Sequence, residues 1–218
     1  VLTSAVDITA RKFAEEHRAH LALHDMLTGL PNRALLAENI RLAIDECKGK
    51  DDIAALLLVD LDRFKVINDT RGHQAGDMLL RQVAERISTN LNPSCFAARI
   101  GGDEFAIILR NIRDVEDVSS QCLQLLTQIG RSYRIDDSEQ LVGASIGVAM
   151  IPSDGASPDE LLRVADLAMY EAKSKGRNCH CFFSSELNRI AQLNAQLESD
   201  LRDALIHNQF FLEYQPIV

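Results

Sequence analysis

The residues that most constrain this chain are Ile53 to Val59, a nearly unbroken apolar run that stops abruptly at Asp60-Leu61-Asp62. Continuous apolar sequence over so few residues suits a central strand buried on both faces, because a half-exposed strand would alternate. The run is far short of the roughly 20 residues that span a bilayer. Charges set directly at the end of a buried strand mark a site.

The flanking sequence supplies the neighbours such a strand requires. Residues 5–24 are charged and helical in pattern, with apolar positions too sparse for a coiled-coil seam, which predicts a connecting helix over 1–24. Thr28-Gly29-Leu30-Pro31-Asn32 is dense in turn formers, and Pro31 or Asn32 is placed to start a helix that buries Leu36, Ile40, Ala43 and Ile44. A short helical stretch over Arg63 to Asn68 is expected next, then a glycine-rich loop through Gly72 and Gly76, then a helix carrying Met78, Leu79, Val83 and Ile87. Phe96–Ile100 and Phe105–Leu109 are strand candidates joined by Gly101-Gly102-Asp103-Glu104, which predicts a tight hairpin with an acidic tip. A helix from about Val115 to Gly130, a strand from Leu141 to Met150, a helix from Pro158 to Lys175 and a short strand around Cys179 to Phe183 follow. This order favours an α+β fold with a central, mainly antiparallel sheet flanked by helices. Beyond it, an amphipathic helix from Glu186 to His207 leads into Phe210-Phe211-Leu212-Glu213-Tyr214, an expected opening strand of a new unit.

A formal net charge of -9 argues against a general nucleic-acid binder, so an anionic ligand must be met by local cations or metal ions. The five cysteines are odd in number and lack paired CxxC spacing, which argues against a disulfide framework or zinc site and fits a reducing cytoplasm. Cys179-His180-Cys181 is weakly metal-like, but alternation along a strand sets the histidine apart, and a structural role is expected. The chain begins at Val1 rather than Met and ends in Gln215-Pro216-Ile217-Val218 directly after strand-like sequence, so both ends read as cuts through a larger protein.

Two acidic clusters, Asp60/Asp62 at the strand end and Asp103/Glu104 at the hairpin tip, meet if the hairpin lies beside that strand. Convergent carboxylates on a rigid sheet are a means of holding Mg²⁺ against a nucleoside triphosphate. Gly101 and Gly102 remove side chains where a ligand or backbone must come close. The bland alternatives are solvated loop acids and an ordinary hairpin turn. Asn68 and Asp77 also have bland readings, as a helix C-cap and an N-cap, and so do Lys173 and Arg177, as cations at a carbonyl-rich helix end.

Arg99-Ile100-Gly101-Gly102-Asp103-Glu104-Phe105 contains the GGDEF signature intact, and the chain resembles the GGDEF family of diguanylate cyclases. Four further segments resemble family motifs in family order: 25–33, from Asp25-Met26-Leu27-Thr28; 60–69, from Asp60 to Asp69; 72–77, from Gly72 to Asp77; and 165–178, from Ala165-Asp166 to Arg177-Asn178. The resemblance covers residues 25 to about 183, assigned as the cyclase domain. It implies that two GTP molecules condense to cyclic di-GMP and two pyrophosphates in a homodimer, with two Mg²⁺ or Mn²⁺ ions per site.

Carried over by motif, the implied metal ligands are Asp60, the Leu61 carbonyl and Asp103, with Glu104 either binding metal or helping to deprotonate the attacking hydroxyl. Guanine recognition falls to Asn68 and Asp77, and phosphate contacts to Lys173, Arg177 and the backbone N–H groups of Phe64 and Lys65, with Gly101 and Gly102 giving room. Asp62 is expected to cap the short helix. Where many members carry an inhibitory Arg-x-x-Asp, this chain has Asn92 and Cys95, so product inhibition by that mode should be absent.

Segment 184–218 resembles the start of an EAL-type phosphodiesterase domain without that family's metal-binding residues, and Asp7 to Lys12 resembles the exit of a PAS sensor domain. The parent is accordingly expected to join sensor, cyclase and EAL domains in the cytoplasm, with membrane anchoring of its upstream part left open. Two alternatives stand beside an active cyclase. One is a GTP-binding regulatory module acting on the following domain. The other is a polymerase-like palm, for which the acidic chain offers no template groove.

Overall fold

The computed structural model describes residues 21–48, 52–136, 138–207, 209–211 and 213. Of the expected connecting helix over 1–24 only residues 21–24 are described, with 21–23 helical and His24 instead bridged to Pro31, and the sensor-like motif at Asp7–Lys12 lies wholly outside. In order, the elements are α1 (Arg33–Cys47), β1 (Ile53–Leu61), α2 (Phe64–Arg71), α3 (His73–Asn90), β2 (Phe96–Gly101), β3 (Glu104–Ile112), α4 (Val115–Ile129), β4 (Tyr133–Ile135), β5 (Ser138–Gln140), β6 (Ala144–Ile151), α5 (Pro158–Ser174), β7 (His180–Phe182) and α6 (Ser185–Ile206).

The apolar run becomes the middle strand of a five-stranded sheet ordered β2-β3-β1-β6-β7. β1 pairs antiparallel with β3 and β6, β2 closes the hairpin on β3, and only β7 runs parallel, beside β6. The fold is therefore α+β with a mainly antiparallel sheet between helices. Leu57, Val59 and Leu61 share one core with Phe105, Ile107 and Leu109 and with residues of α2, α3 and α4. Leu56 and Leu58 share the other with Ala106 and Ile108, with Leu36 and Ile40 of α1, and with Leu161, Val164 and Met169 of α5. Each Leu, Ile or Val side chain among them, once fully buried, contributes about 1.5–3 kcal/mol before entropy is counted.

α5 sits unusually close to the sheet. A Cβ at Gly147 of β6 would lie 2.0 Å from the Ala165 carbonyl oxygen and 2.3 Å from the Met169 nitrogen, so only glycine permits this packing. The approach carries the C-terminal half of α5, with Asp166 and Lys173, toward the end of β1.

Four local expectations change. Gly76 lies inside α3 rather than in a loop. The sequence pattern missed β4 and β5, which form a two-stranded ribbon. Arg86 anchors that ribbon, donating to the carbonyls of Gln128, Arg131 and Ser132 while its guanidinium lies 3.8 Å over the Tyr133 ring. β6 begins at Ala144 instead of Leu141, because the Gly143 carbonyl accepts from the Asp62 N–H at 2.9 Å at the end of the ladder. Residues 209–211 and 213 belong to no strand, for a strand requires a partner to satisfy its backbone.

By internal packing the chain divides into Val1–Phe183 and Ser184–Val218. In the second unit the Ser184 hydroxyl accepts from the Leu187 N–H to start α6, whose Leu193, Leu197, Leu201 and Leu205 are exposed. Among the described residues no helix is long and apolar enough to cross a membrane.

Candidate active site

The β1/β3 register sets Asp60 opposite Glu104, and the Leu61 N–H donates to the Asp103 carbonyl at 3.3 Å. The two acidic stretches are thus brought to one edge of the sheet. Asp60 is 8% exposed, and its Oδ2 lies 2.8 Å from Lys173 Nζ. Burial raises the Asp60 pKa above the usual carboxylate range; the Lys173 hydrogen bond and charge oppose the shift, and the charges of Asp103 and Asp62 add to it. The Glu104 pKa is raised as well, first by burial and then by the charges of Asp60, Asp166 and Asp103, with Lys173 opposing. Glu104 and Asp166 also line a cavity of about 360 Å³ together with Arg33 and Arg163.

Among the described residues no three His, Cys, Asp or Glu side chains are gathered tightly enough to hold a metal ion by themselves. Mg²⁺ is commonly bound by one or two carboxylates, with water and substrate phosphates filling the other positions. The hard oxygens at this edge, from Asp60, Asp103, Glu104 and the Leu61 carbonyl, fit that pattern.

The hairpin tip is braced from outside. Gly101 and Gly102 take φ of 156° and 54°, conformations open to glycine, and the β2/β3 register shifts between Arg99 and Gly101. Arg99 donates from Nη2 and Nε to the Gly102 carbonyl at 2.7 and 3.1 Å, and from Nη1 to both Asp25 carboxylate oxygens at 2.9 and 3.0 Å. Asp25 also accepts from the Thr28 N–H and hydroxyl at 2.9 and 2.7 Å. Burial acts to raise the Asp25 pKa, but the hydrogen bonds from Thr28 and Arg99 and the charge of Arg99 prevail and hold it below the ordinary value. Both residues stand in segments that match family motifs, yet sequence pattern alone did not pair them. Asp166 was missed for the same reason.

Asn68 and Asp77 cap neither helix. Asn68 is interior to α2 and Asp77 lies one full turn inside α3, while Gly72 both ends α2 and precedes α3. A Cβ at Gly76 would stand 2.0 Å from Asn68 Oδ1, so glycine inside α3 lets the Asn68 amide lie against that helix, next in sequence to Asp77. Phe64 and Lys65 open α2, where N–H groups lack intrahelical acceptors.

Asp62 does not cap α2. The residue preceding that helix is Arg63, in a left-handed conformation, with no side-chain capping bond. Asp62 instead accepts from the Ser145 hydroxyl at 2.7 Å and the Asn178 N–H at 3.0 Å. It joins the end of β1 to β6 and to the turn after α5, which carries Arg177 at φ 68°. In the Cys179–Cys181 segment, His180 Nε2 lies 3.0 Å from the Ser119 hydroxyl, and Cys181 is buried.

Residues 22–179 match the family described as "Diguanylate cyclase, GGDEF domain". The bifunctional diguanylate cyclase/cyclic di-GMP phosphodiesterase MucR of Pseudomonas aeruginosa is 43% identical over 219 residues, covering 100% of this chain and 32% of MucR. The cyclic di-GMP phosphodiesterase NbdA of the same organism is 39% identical over 91% of this chain and 25% of its own length. The isolated GGDEF domain of TpbB (YfiN) from P. aeruginosa superposes with a TM-score of 0.75 at 36% identity, covering 78% of this chain and 99% of that one. The acidic residues gather where the central strand β1 meets a glycine-rich hairpin, on the fold that the solved GGDEF domains share. The chain belongs to the GGDEF family, and it spans about a third or less of the length of MucR and NbdA.

Proposed function

We propose that this chain is a diguanylate cyclase domain that condenses two GTP into cyclic di-GMP and two pyrophosphates, acting as a homodimer in the cytoplasm. The observation that carries the reading is the set of acidic groups at the β1–β3 edge, Asp60 beside Glu104 and Asp103, flanked by the start of α2 and by Lys173.

Asp60, Asp103, Glu104 and the Leu61 carbonyl would hold Mg²⁺ or Mn²⁺, which when bound offsets triphosphate charge. Asn68 and Asp77 meet the guanine edges as amide and carboxylate. The N–H groups of Phe64 and Lys65 receive phosphate oxygens, and Lys173 and Arg177 neutralise the β- and γ-phosphates. If Glu104 is left free of the metal, it takes the proton from the 3′-hydroxyl as the oxygen attacks the α-phosphorus of the partner's GTP and pyrophosphate leaves. Arg99 and Asp25 hold the tip in place throughout.

Incubating the purified chain with GTP and Mg²⁺ and separating the nucleotides tests this. Cyclic di-GMP should form, and Asp103→Ala and Glu104→Ala should each lower turnover by about 10²–10³-fold, the range for losing one electrostatic group at a transition state. The second reading, a GTP-binding regulatory module, is favoured by the similarity to NbdA, which is named a phosphodiesterase. GTP binding by wild type with no product at any chain concentration would establish it in place of the first.

A further inference from the structure

A cavity of about 530 Å³ lies where three segments meet: Asp62 and Arg63 after β1, residues 140–143 before β6, and residues 176–178 after α5. Its lining includes Arg177 but none of Asp60, Asp103, Glu104 or Lys173. Asp62 fastens the three segments together, giving its N–H to Gly143 and accepting from Ser145 and Asn178. The base of the cavity is thus a hydrogen-bonded junction, and both Asp62 carboxylate oxygens are engaged there by neutral donors.

The apolar part of the lining is Val66, Ile67, Leu141 and Val142, with Ile67 and Val142 buried in the core beneath it. Leu141 is 74% exposed and Val66 54%, a high exposure for aliphatic groups at the mouth of a recess. Arg63 and Arg177 also line it. Among the described residues neither forms an ion pair or a side-chain hydrogen bond, although the chain has a net charge of -9. Their backbones are held at φ 59° and 68°, and that of Asn178 at 48°, sparsely populated conformations that persist only where surrounding contacts impose them.

We propose that this cavity binds an anionic amphiphile, its phosphate or carboxylate head on Arg63 and Arg177 and its apolar body against Val66, Ile67, Leu141 and Val142, and that this ligand competes with GTP. Two exposed cations without side-chain partners among the described residues, beside aliphatic groups, suit a molecule that carries both features. The competition rests on the proposed cyclase reading, in which Arg177 serves the γ-phosphate. One guanidinium cannot fully serve both anions, and by linkage each ligand must weaken the other by the same factor.

Octyl phosphate and octanoate, each below its micellar concentration, are the probes, followed by amide shifts of the ¹⁵N-labelled chain. Shifts should concentrate at Val66, Thr70, Leu141, Val142 and Gly143. Inorganic phosphate or octanol alone should bind at least about tenfold more weakly, as expected when head and body each contribute. The two head groups separate the phosphate and carboxylate sources. Arg63→Ala and, independently, Leu141→Asp at an exposed position should each cost about tenfold in affinity, or 1.4 kcal/mol. Shifts confined to the leucines of α6, unchanged affinity in Arg63→Ala, or equal affinity for inorganic phosphate would overturn the site. With Mg²⁺ and 3′-deoxy-GTP, which lacks the attacking hydroxyl, octyl phosphate affinity should fall; an unchanged value alongside demonstrated nucleotide binding overturns the competition. Failure of wild type to bind any GTP would count against the cyclase reading and leave the octyl phosphate result intact.

Discussion

The two ends of strand β2 are built on opposite principles. At its C-terminal end Arg99 is locked between the Asp25 carboxylate and the Gly102 carbonyl, with its side chain only 10% exposed. At its N-terminal end the chain enters through an uncharged turn in which the Asn92 carbonyl accepts from the Cys95 N–H at 2.9 Å, and Asn92 is exposed. A partly buried guanidinium with fixed partners can position a backbone loop, whereas an exposed amide cannot hold a multivalent anion by charge. The strand therefore concentrates its electrostatics at the hairpin tip.

The largest expected effect comes from breaking the charged end. Arg99→Ala removes the donors to Asp25 and Gly102 and leaves a partly buried carboxylate without its cation. A loss of about 2–4 kcal/mol in urea unfolding is expected, within the range for breaking one partner of such a pair. Cyclic di-GMP turnover should fall on the order of 100-fold as the tip loosens, comparable to misplacing a reacting group by an ångström. Asp25→Asn keeps an acceptor for Arg99 and Thr28 and should be milder, about 1 kcal/mol. Equal stability losses for Asp25→Asn and for alanine at Asn92 would dissolve the contrast between the two ends.

The contrast was only half legible in the sequence. The apolar run, the hairpin and its acidic tip follow from local patterning, and β1 and the tip lie where the continuous apolar run and glycine placement put them. Arg99 and Asp25 are 74 residues apart, and nothing in periodicity links a charge before a hairpin to one before a turn. A carboxylate just before a helix has the pattern of a cap, and only the approach of β6 and of the turn after α5 redirects Asp62. Gly76 was read as a loop residue because glycine normally weakens a helix; the close approach of Asn68 outweighs that cost, which is about 1 kcal/mol relative to alanine. The ribbon of β4 and β5 is too short for a hydrophobic alternation to register.

The proton inventory sharpens the comparison. Glu104 has a folded-state pKa above its unfolded value, so the native state binds more protons than the unfolded chain between those two values. Stability is then fullest below the unfolded pKa and declines as pH rises through the folded one. Glu104→Gln removes the penalty of the charged form. In metal-free buffer its melting temperature should exceed that of wild type at pH 8, and the difference should close as pH falls to about 4, the ordinary range of a glutamate carboxyl. A gain independent of pH would mean that neither burial nor the charges of Asp60, Asp166 and Asp103 raise the proton affinity of this residue.

The smallest effect belongs to the uncharged end. Asn92→Ala should change stability by no more than about 0.5 kcal/mol, as is usual for exposed positions without buried partners, and by the same amount at pH 5 and pH 8. It should also leave the response to added cyclic di-GMP unchanged, because Asn92 and Cys95 provide neither a bidentate guanidinium nor an acidic partner. Installing that pair as Asn92→Arg with Cys95→Asp should create non-competitive inhibition where wild type has none. Steady-state rates over a product titration read both outcomes. Strong inhibition of wild type that Asn92→Ala abolishes would mean that this turn, without a charge, still holds the product, and the electrostatic distinction between the ends of β2 would fail at the point where the effect is expected to be least.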